Sequence, residues 1–410
     1  MNVYQVVILT ALLLQHALHL AADLLNLRSL QPELPGEFRD VYDAERYQRS
    51  QAYTRTKTRF GMIPDAFHLV VLLVFWFAGG FAWLDEWARG VASGPIVAGL
   101  VFVGVLALAR TLLGLPFSWY ATFVIEERYG FNKTTPRTFW LDLAKGLLLA
   151  VLLGAPLLSA ILWFFLTAGS AAWLWCWALT TAFTIVVQFV APTWIMPLFN
   201  KFEPLEEGAL RDAVMAYAAR VSFPLGGLFV IDGSRRSTKA NAFFTGFGKR
   251  KRVALFDTLI QKHSVDGLVA VVAHEIGHYK KGHIKQGIAL SIVQAGVVFW
   301  LLSIFLREEQ LFAAFGVGEP SVHAGLVFFS MLFAPIDLVL SFFVQAFSRR
   351  NEFEADAFAR ETTGESEELI TALKKLAADS LQNLTPHPLY VKLHYSHPPL
   401  LKRIEALRSG

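Results

Sequence analysis

A single cysteine, Cys176, is all the thiol chemistry this 410-residue chain carries. One thiol allows no intramolecular disulfide and no thiolate cluster, so any metal must be held by His and carboxylate side chains. Charge is scarce too: 17% of residues are Asp, Glu, Lys or Arg, against 54% hydrophobic residues and a mean hydropathy of +0.44. That balance excludes an ordinary soluble globular chain and indicates a polytopic membrane protein. Internal repeats and low-complexity tracts are absent, and no two halves of the chain match as they commonly do in transporters. The first residues, MNVYQ, hold no basic residue that could form the n-region of a signal peptide, so 1–24 is expected to be a retained first span.

What the chain has instead is apolar runs. Stretches near 3–22, 65–84, 95–125, 146–167, 171–199, 286–306 and 322–347 are each long enough to cross a hydrocarbon core of ~30 Å. Seven spans put the two termini on opposite sides. Lys and Arg near span ends are retained on the cytoplasmic side. With the N-terminus outside, the inner segments 25–64, 126–145, 201–285 and 348–410 hold 7, 4, 14 and 9 of them, 34 of the 37. Only Arg89 and Arg307 fall in outer loops, and Arg110 lies within a span. The reading is therefore N-terminus outside, C-terminus inside. The net charge of +4 follows from these loops and requires no nucleic-acid partner.

The inner segments leave room for soluble structure. LGGLFVIDG (225–233), NAFFTGFG (241–248) and RVALFDTL (252–259) read as short strands, which predicts a small cytoplasmic antiparallel β-sheet in an otherwise all-α chain. From Val265 to His283 the pattern is helical and can run straight into the sixth span, while the seventh span continues through SRRNEFEADAFARET. Two antiparallel helices then leave the membrane on one side.

The first of them carries VVAHEIGHYKKGH at 271–283. HExxH on a helix sets His274 and His278 at i and i+4 on one face, where both can share one zinc, with Glu275 between them turned toward the water. A third His on the same segment is excluded, because Lys281 and Ile284 stand where the metzincin pattern needs Gly and His. A carboxylate from another helix is the remaining option, and Glu352 in NEFEAD is the best candidate. Asp356, four residues on, could accept the second ring N–H of a metal-bound His. Glu354, about 200° round the helix from Glu352, should face elsewhere. His278 and Glu352 both lie on the order of 10 Å inside the cytoplasmic membrane face at ~1.5 Å per residue. For His283, structural and functional readings are equally open. His16, His19 and Asp23 share a face of the first span, and with Arg110 and Asp337 they are read chiefly as interhelical pairs, and more weakly as signs of a wet internal space.

As a set, HEIGHYKKGH (274–283), SRRNEFEADAFA (348–359), STKANAFFTGFGKRKRVALFDTL (237–259) and YSHPPLLKRIEAL (395–407), in that order and with seven spans, resemble the type I CAAX prenyl endopeptidases, integral-membrane zinc proteases. The resemblance implies seven transmembrane helices enclosing a chamber, one Zn2+ on His274, His278 and Glu352, and Glu275 as catalytic base. It further implies His397 and Arg403 as groups steadying the oxyanion or the substrate carboxyl, and Asn241, Ala242 and Phe243 as an edge strand on which an extended peptide pairs. Spans one to five with two cytoplasmic loops would form 1–200, and the zinc protease region with spans six and seven 201–410.

The expected partners are the lipid bilayer and a peptide or protein substrate, with prenylated chains among the candidates. The expected membrane is a bacterial inner membrane, or the endoplasmic reticulum if the chain is eukaryotic. Two alternatives stand beside CAAX cleavage: a membrane quality-control protease without prenyl specificity, and a transporter or channel with a structural zinc. The last leaves Glu275 without a purpose, since a structural zinc closes its coordination with four protein ligands.

Overall fold

The structure, a computed structural model, describes residues 1–245 and 251–409. Seven helical stretches are long and apolar enough to cross a membrane: Val3–Arg28, Ala44–Phe77, Pro95–Glu126, Pro136–Thr167, Gly169–Leu198, His283–Phe305 and Val322–Thr363. The chain is a multi-pass membrane protein. Within these stretches the regular helices are α1 (Val3–Arg28), α2 (Ala44–Phe77), α4 (Pro95–Tyr120), α5 (Pro136–Leu149), α6 (Ala155–Thr167), α7 (Ala172–Val190), α11 (His283–Phe305) and α13 (Val322–Thr363). α3 (Gly80–Val91) and α12 (Glu309–Ala313) lie between spans, and α8 (Ala209–Arg220), α9 (Asp257–Ile260), α10 (Val265–Lys280), α14 (Glu367–Asp379), α15 (Pro388–His394) and α16 (Leu400–Ser409) form the extramembrane part. Polar side chains start the long helices by accepting orphan N–H groups: Asn2 from Gln5, Asp43 from Arg46, Thr135 from Thr138 and Ser321 from Ala324.

The second span differs from the expected 65–84. α2 begins at Ala44, well before the apolar run, and stops at Phe77 because Gly79 takes a left-handed φ of 77°. The apolar residues beyond belong to α3, which packs on α4 and meets α13 through Phe81 and Asp85 instead of crossing.

The spans form a ring. α1 contacts α2, α4 contacts α6, α6 contacts α7, α7 contacts α11, α11 contacts α13, and α13 returns to α1. Phe60 and Phe67 of α2 meet Phe117 of α4 and close the remaining gap. Only 6–22% of each apolar window is buried. Helices in a solid bundle would bury a whole stripe each, so these stand around a hollow. One end of the hollow is stoppered by Phe81, Phe102, Phe315 and Phe328, with Phe315 and Phe328 stacked at 3.9 Å. The buried Asp85 of α3 lies 2.6 Å from His323 Nε2 of α13 at the same end.

At the other end sits a four-stranded sheet, β1 (Phe202–Pro204), β2 (Leu225–Ile231), β3 (Ala242–Thr245) and β4 (Lys251–Phe256), in the order β1-β2-β4-β3. It is mixed, not antiparallel: β2 and β4 run parallel, while β1 and β3 pair antiparallel at the edges. Val253, Ala254 and Leu255 are at most 2% exposed, and only a central strand buries them on both faces. The chain therefore passes from β2 to the edge strand before returning between them.

The predicted run from Val265 into the sixth span is also broken. α10 ends at Lys280, Gly282 adopts φ 77°, and α11 starts afresh at His283. α13, by contrast, is one 42-residue helix that passes Pro335 and carries NEFEAD beyond the apolar run.

Candidate metal centre

α10 is apolar almost all round, with Leu268, Ala270, Val272, Ala273 and Ile276 at most 1% exposed, so it must run through the interior of the extramembrane part. Ser264 caps it by accepting from Gly267 N at 3.2 Å. Its broadest contact is with α13, where small residues bring the two axes close. Between them His274, His278 and Glu352 each offer a ligand atom, all within 4.8 Å of one another.

The donor set itself tests the fit of a metal. His274 Nε2 and His278 Nε2 are 3.1 Å apart, and the Glu352 oxygens stand 3.5 Å and 3.3 Å from them. Glu352 Oε2 is buried without a hydrogen bond. Two imidazole nitrogens and a carboxylate turned on one point, with one oxygen lacking a hydrogen bond, are what a dication resolves and what protein hydrogen bonding leaves costly. The residues fit a three-ligand site with an open position. Glu275 has no hydrogen-bond or ion-pair partner among the described residues, and burial is the main cause raising its carboxyl above the usual range. A half-buried carboxylate without a partner, next to the metal position, is suited to proton transfer.

Asp356 holds the His274 side. Its Oδ1 lies 2.9 Å from His274 Nδ1 and it accepts two bonds from Arg403, Nε at 2.8 Å and Nη2 at 2.6 Å. Arg403 is 8% exposed, with Nη1 3.4 Å from Glu352 Oε2. Burial opposes charge on His274, yet the Asp356 and Glu352 carboxylates outweigh it and bring the ring up to about 9. His397 reaches Glu352 Oε1 with Nε2 at 3.3 Å, its side chain otherwise 62% exposed, and Ser396 Oγ lies 2.8 Å from its Nδ1. Seven of the sequence-predicted residues thus meet at one place.

Asn241, Ala242 and Phe243 lie apart from that cluster but beside its helix. Ala242 and Phe243 are in β3, the sheet's edge, which contacts α10, and Asn241 O accepts from Phe256 N at 3.0 Å just before it. The last three residues of NAFFTGFG lie outside the described residues.

Sequence reasoning left one chain of contacts unread. His278 Nδ1 is 3.0 Å from His283 Nδ1, His283 Nε2 is 3.2 Å from Glu354 Oε2, and Arg350 Nε donates to Glu354 Oε1 at 3.0 Å. Glu354 does face away from the metal position, but onto His283. The turn at Gly282, which folds His283 back beside His278, was the missing signal.

An HExxH helix facing a carboxylate helix, at one end of a ring of membrane spans, defines a membrane-embedded metal-dependent peptidase. Residues 23–201 match the family described as "CAAX prenyl protease N-terminal, five membrane helices", and 204–410 match peptidase family M48. The chain belongs to this family of membrane peptidases. It is 36% identical to a CAAX prenyl protease 1 homolog of Oryza sativa subsp. japonica, covering 99% of this chain and 98% of that one. The CAAX prenyl protease 1 of Saccharomyces cerevisiae is 35% identical over 92% of this chain and 89% of its own length, and the Homo sapiens homolog 33% over the same shares. The crystal structure of S. mikatae Ste24p superimposes with a TM-score of 0.92 at 33% identity over 99% of each chain.

Proposed function

We propose that the chain is a zinc-dependent membrane endopeptidase that cleaves near the C-terminus of prenylated, CAAX-type proteins. The observation that carries the reading is the gap bounded by His274, His278 and Glu352, with the unpartnered Glu275 next to it. His274 Nε2, His278 Nε2 and Glu352 would hold the zinc. When bound, zinc supplies Lewis-acid chemistry, polarising the scissile carbonyl and making water more acidic.

Glu275 takes a proton from the attacking water on a carboxylate oxygen and delivers it to the leaving amine nitrogen. Asp356 keeps the proton of neutral His274 on Nδ1, which leaves Nε2 free to ligate. Arg403, with two of its donors on Asp356, holds that carboxylate and keeps the negative charge of Glu352 in balance. His397, close to Glu352 yet open to solvent, donates from its ring to the carbonyl oxygen as charge builds there. Asn241, Ala242 and Phe243 give an extended substrate an edge to pair with, so recognition reads backbone more than side chains.

The 34 basic residues on the segments that flank the metal end favour a cytoplasmic face for the site and the C-terminus, with the N-terminus across the membrane. The test is zinc content and cleavage of a farnesylated CAAX peptide by the detergent-purified chain, beside Glu275→Gln. One zinc in both proteins, with cleavage before the last three residues by the wild type alone, is the expected result. Normal turnover by Glu275→Gln, or zinc without cleavage of either the farnesylated or an unprenylated unfolded peptide, would sink the reading.

A further inference from the structure

Arg110 sits near the middle of the span Pro95–Glu126, roughly 20 Å from either end of that apolar stretch at ~1.5 Å per residue. Among the described residues it has no ion-pair or hydrogen-bond partner. Arg110, Ser118 and Thr122 recur at multiples of four and line one face, whereas the exposed Leu108 and Leu112, two positions to either side of Arg110, point the opposite way. The polar face borders a cavity of about 550 Å³ that His68 of α2 and Asp142 of α5 also line.

The charges and donors there are unevenly matched. Asp142 is neutralised by Arg236, which donates to it twice, from Nε at 2.8 Å and Nη2 at 2.9 Å. Arg110 therefore supplies the one uncompensated fixed charge on the cavity wall among the described residues. Ser118 and Thr122 hydroxyls have no hydrogen bond among the described residues, and His68 makes only ring contacts, with Phe67 and Phe117. A permanent guanidinium with spare hydroxyl and imidazole donors, set in the middle of an apolar span, asks for an acceptor-rich anion.

We infer that this cavity is an oxyanion-binding site, taking a carboxylate or phosphate head group presented from within the membrane. A free peptide carboxylate and an anionic lipid phosphate share that chemistry. Arg236, at the rim, precedes the Asn241 segment closely, so a peptide end can approach from β3; this arm alone rests on the peptidase reading.

Binding is measured without cleavage, so the two readings fail separately. The detergent-purified full chain is titrated with the tripeptide Val-Ile-Met as free acid and as C-terminal amide. Native mass spectrometry then compares retention of phosphatidylglycerol and phosphatidylcholine. Wild type should prefer the acid over the amide, or phosphatidylglycerol over phosphatidylcholine, by roughly tenfold, since charge-assisted bidentate pairs are the strong ones. Arg110→Gln should abolish the preference and Arg110→Lys keep part of it. Whichever probe is preferred, carrying a diazirine, should label 110–122. No preference for either anion in wild type, an unchanged preference in Arg110→Gln, or labelling confined elsewhere overturns the inference. Should Arg110→Gln fail to fold, Ser118→Ala with Thr122→Val decides: about threefold weaker binding supports the site, and unchanged binding rejects it.

Discussion

Gly277 of α10 lies directly against the backbone of Ala355 in α13: a Cβ added there would stand 3.1 Å from both the Cα and the carbonyl oxygen of Ala355. The two helices that carry the metal ligands are thus spaced by a missing side chain. Gly277→Ala should push the helices apart by tenths of an ångström, destabilise the fold by ~1–3 kcal/mol through overpacking, and weaken metal retention. Zinc per chain after dialysis against a chelator, with a melting curve alongside, checks this, and full retention in Gly277→Val would contradict it.

Asp356→Asn should lower metal affinity by about 10–100-fold, the usual cost of losing a carboxylate that orients a ligating His. Arg403→Gln should do so too, because Asp356 then loses its two donors. If the two substitutions act through one contact chain, the double variant is little worse than either alone. Competition with a zinc chelator measures all three.

His278 ligating through Nε2 carries its proton on Nδ1 and donates it to His283 Nδ1, which places the His283 proton on Nε2, facing Glu354. Glu354→Gln and His283→Phe are each expected to loosen the metal by roughly tenfold. A cobalt-substituted sample should report the change in its visible spectrum, and an unaltered spectrum in His283→Phe would remove His283 from the site.

In the metal-free protein His274 is held up to about 9, so at neutral pH a metal must displace its proton. Apparent zinc affinity should therefore climb about tenfold per pH unit through neutral pH and level off near pH 9. The raised pKa also means that protonated His274 stabilises the metal-free fold fully below pH ~6.5, and that this contribution fades as the pH rises through about 9. Zinc titrations from pH 6 to 10, with apo-protein melting temperatures over the same range, give both slopes.

Much of this was open to view in the chain itself. Seven apolar runs, the i and i+4 spacing of His274 and His278, and the four-residue step from Glu352 to Asp356 are local properties, fixed by helical geometry and by the cost of placing apolar or polar groups in the wrong solvent. Long-range closeness is not local. The parallel pairing of β2 and β4, the start of α2 at Ala44, and the turn at Gly282 that returns His283 to His278 depend on which partners the chain finds when its apolar surfaces are buried together. The same holds for Arg403. The family resemblance implied a group steadying the oxyanion or the substrate carboxyl, and only the packing of α16 on α13 brings its donors onto Asp356. Sequence determined which side chains could do the chemistry, because spacing and solvent preference are written residue by residue. Tertiary structure decided which of them touch, because a buried charge or donor takes whatever partner the fold brings within about 3 Å.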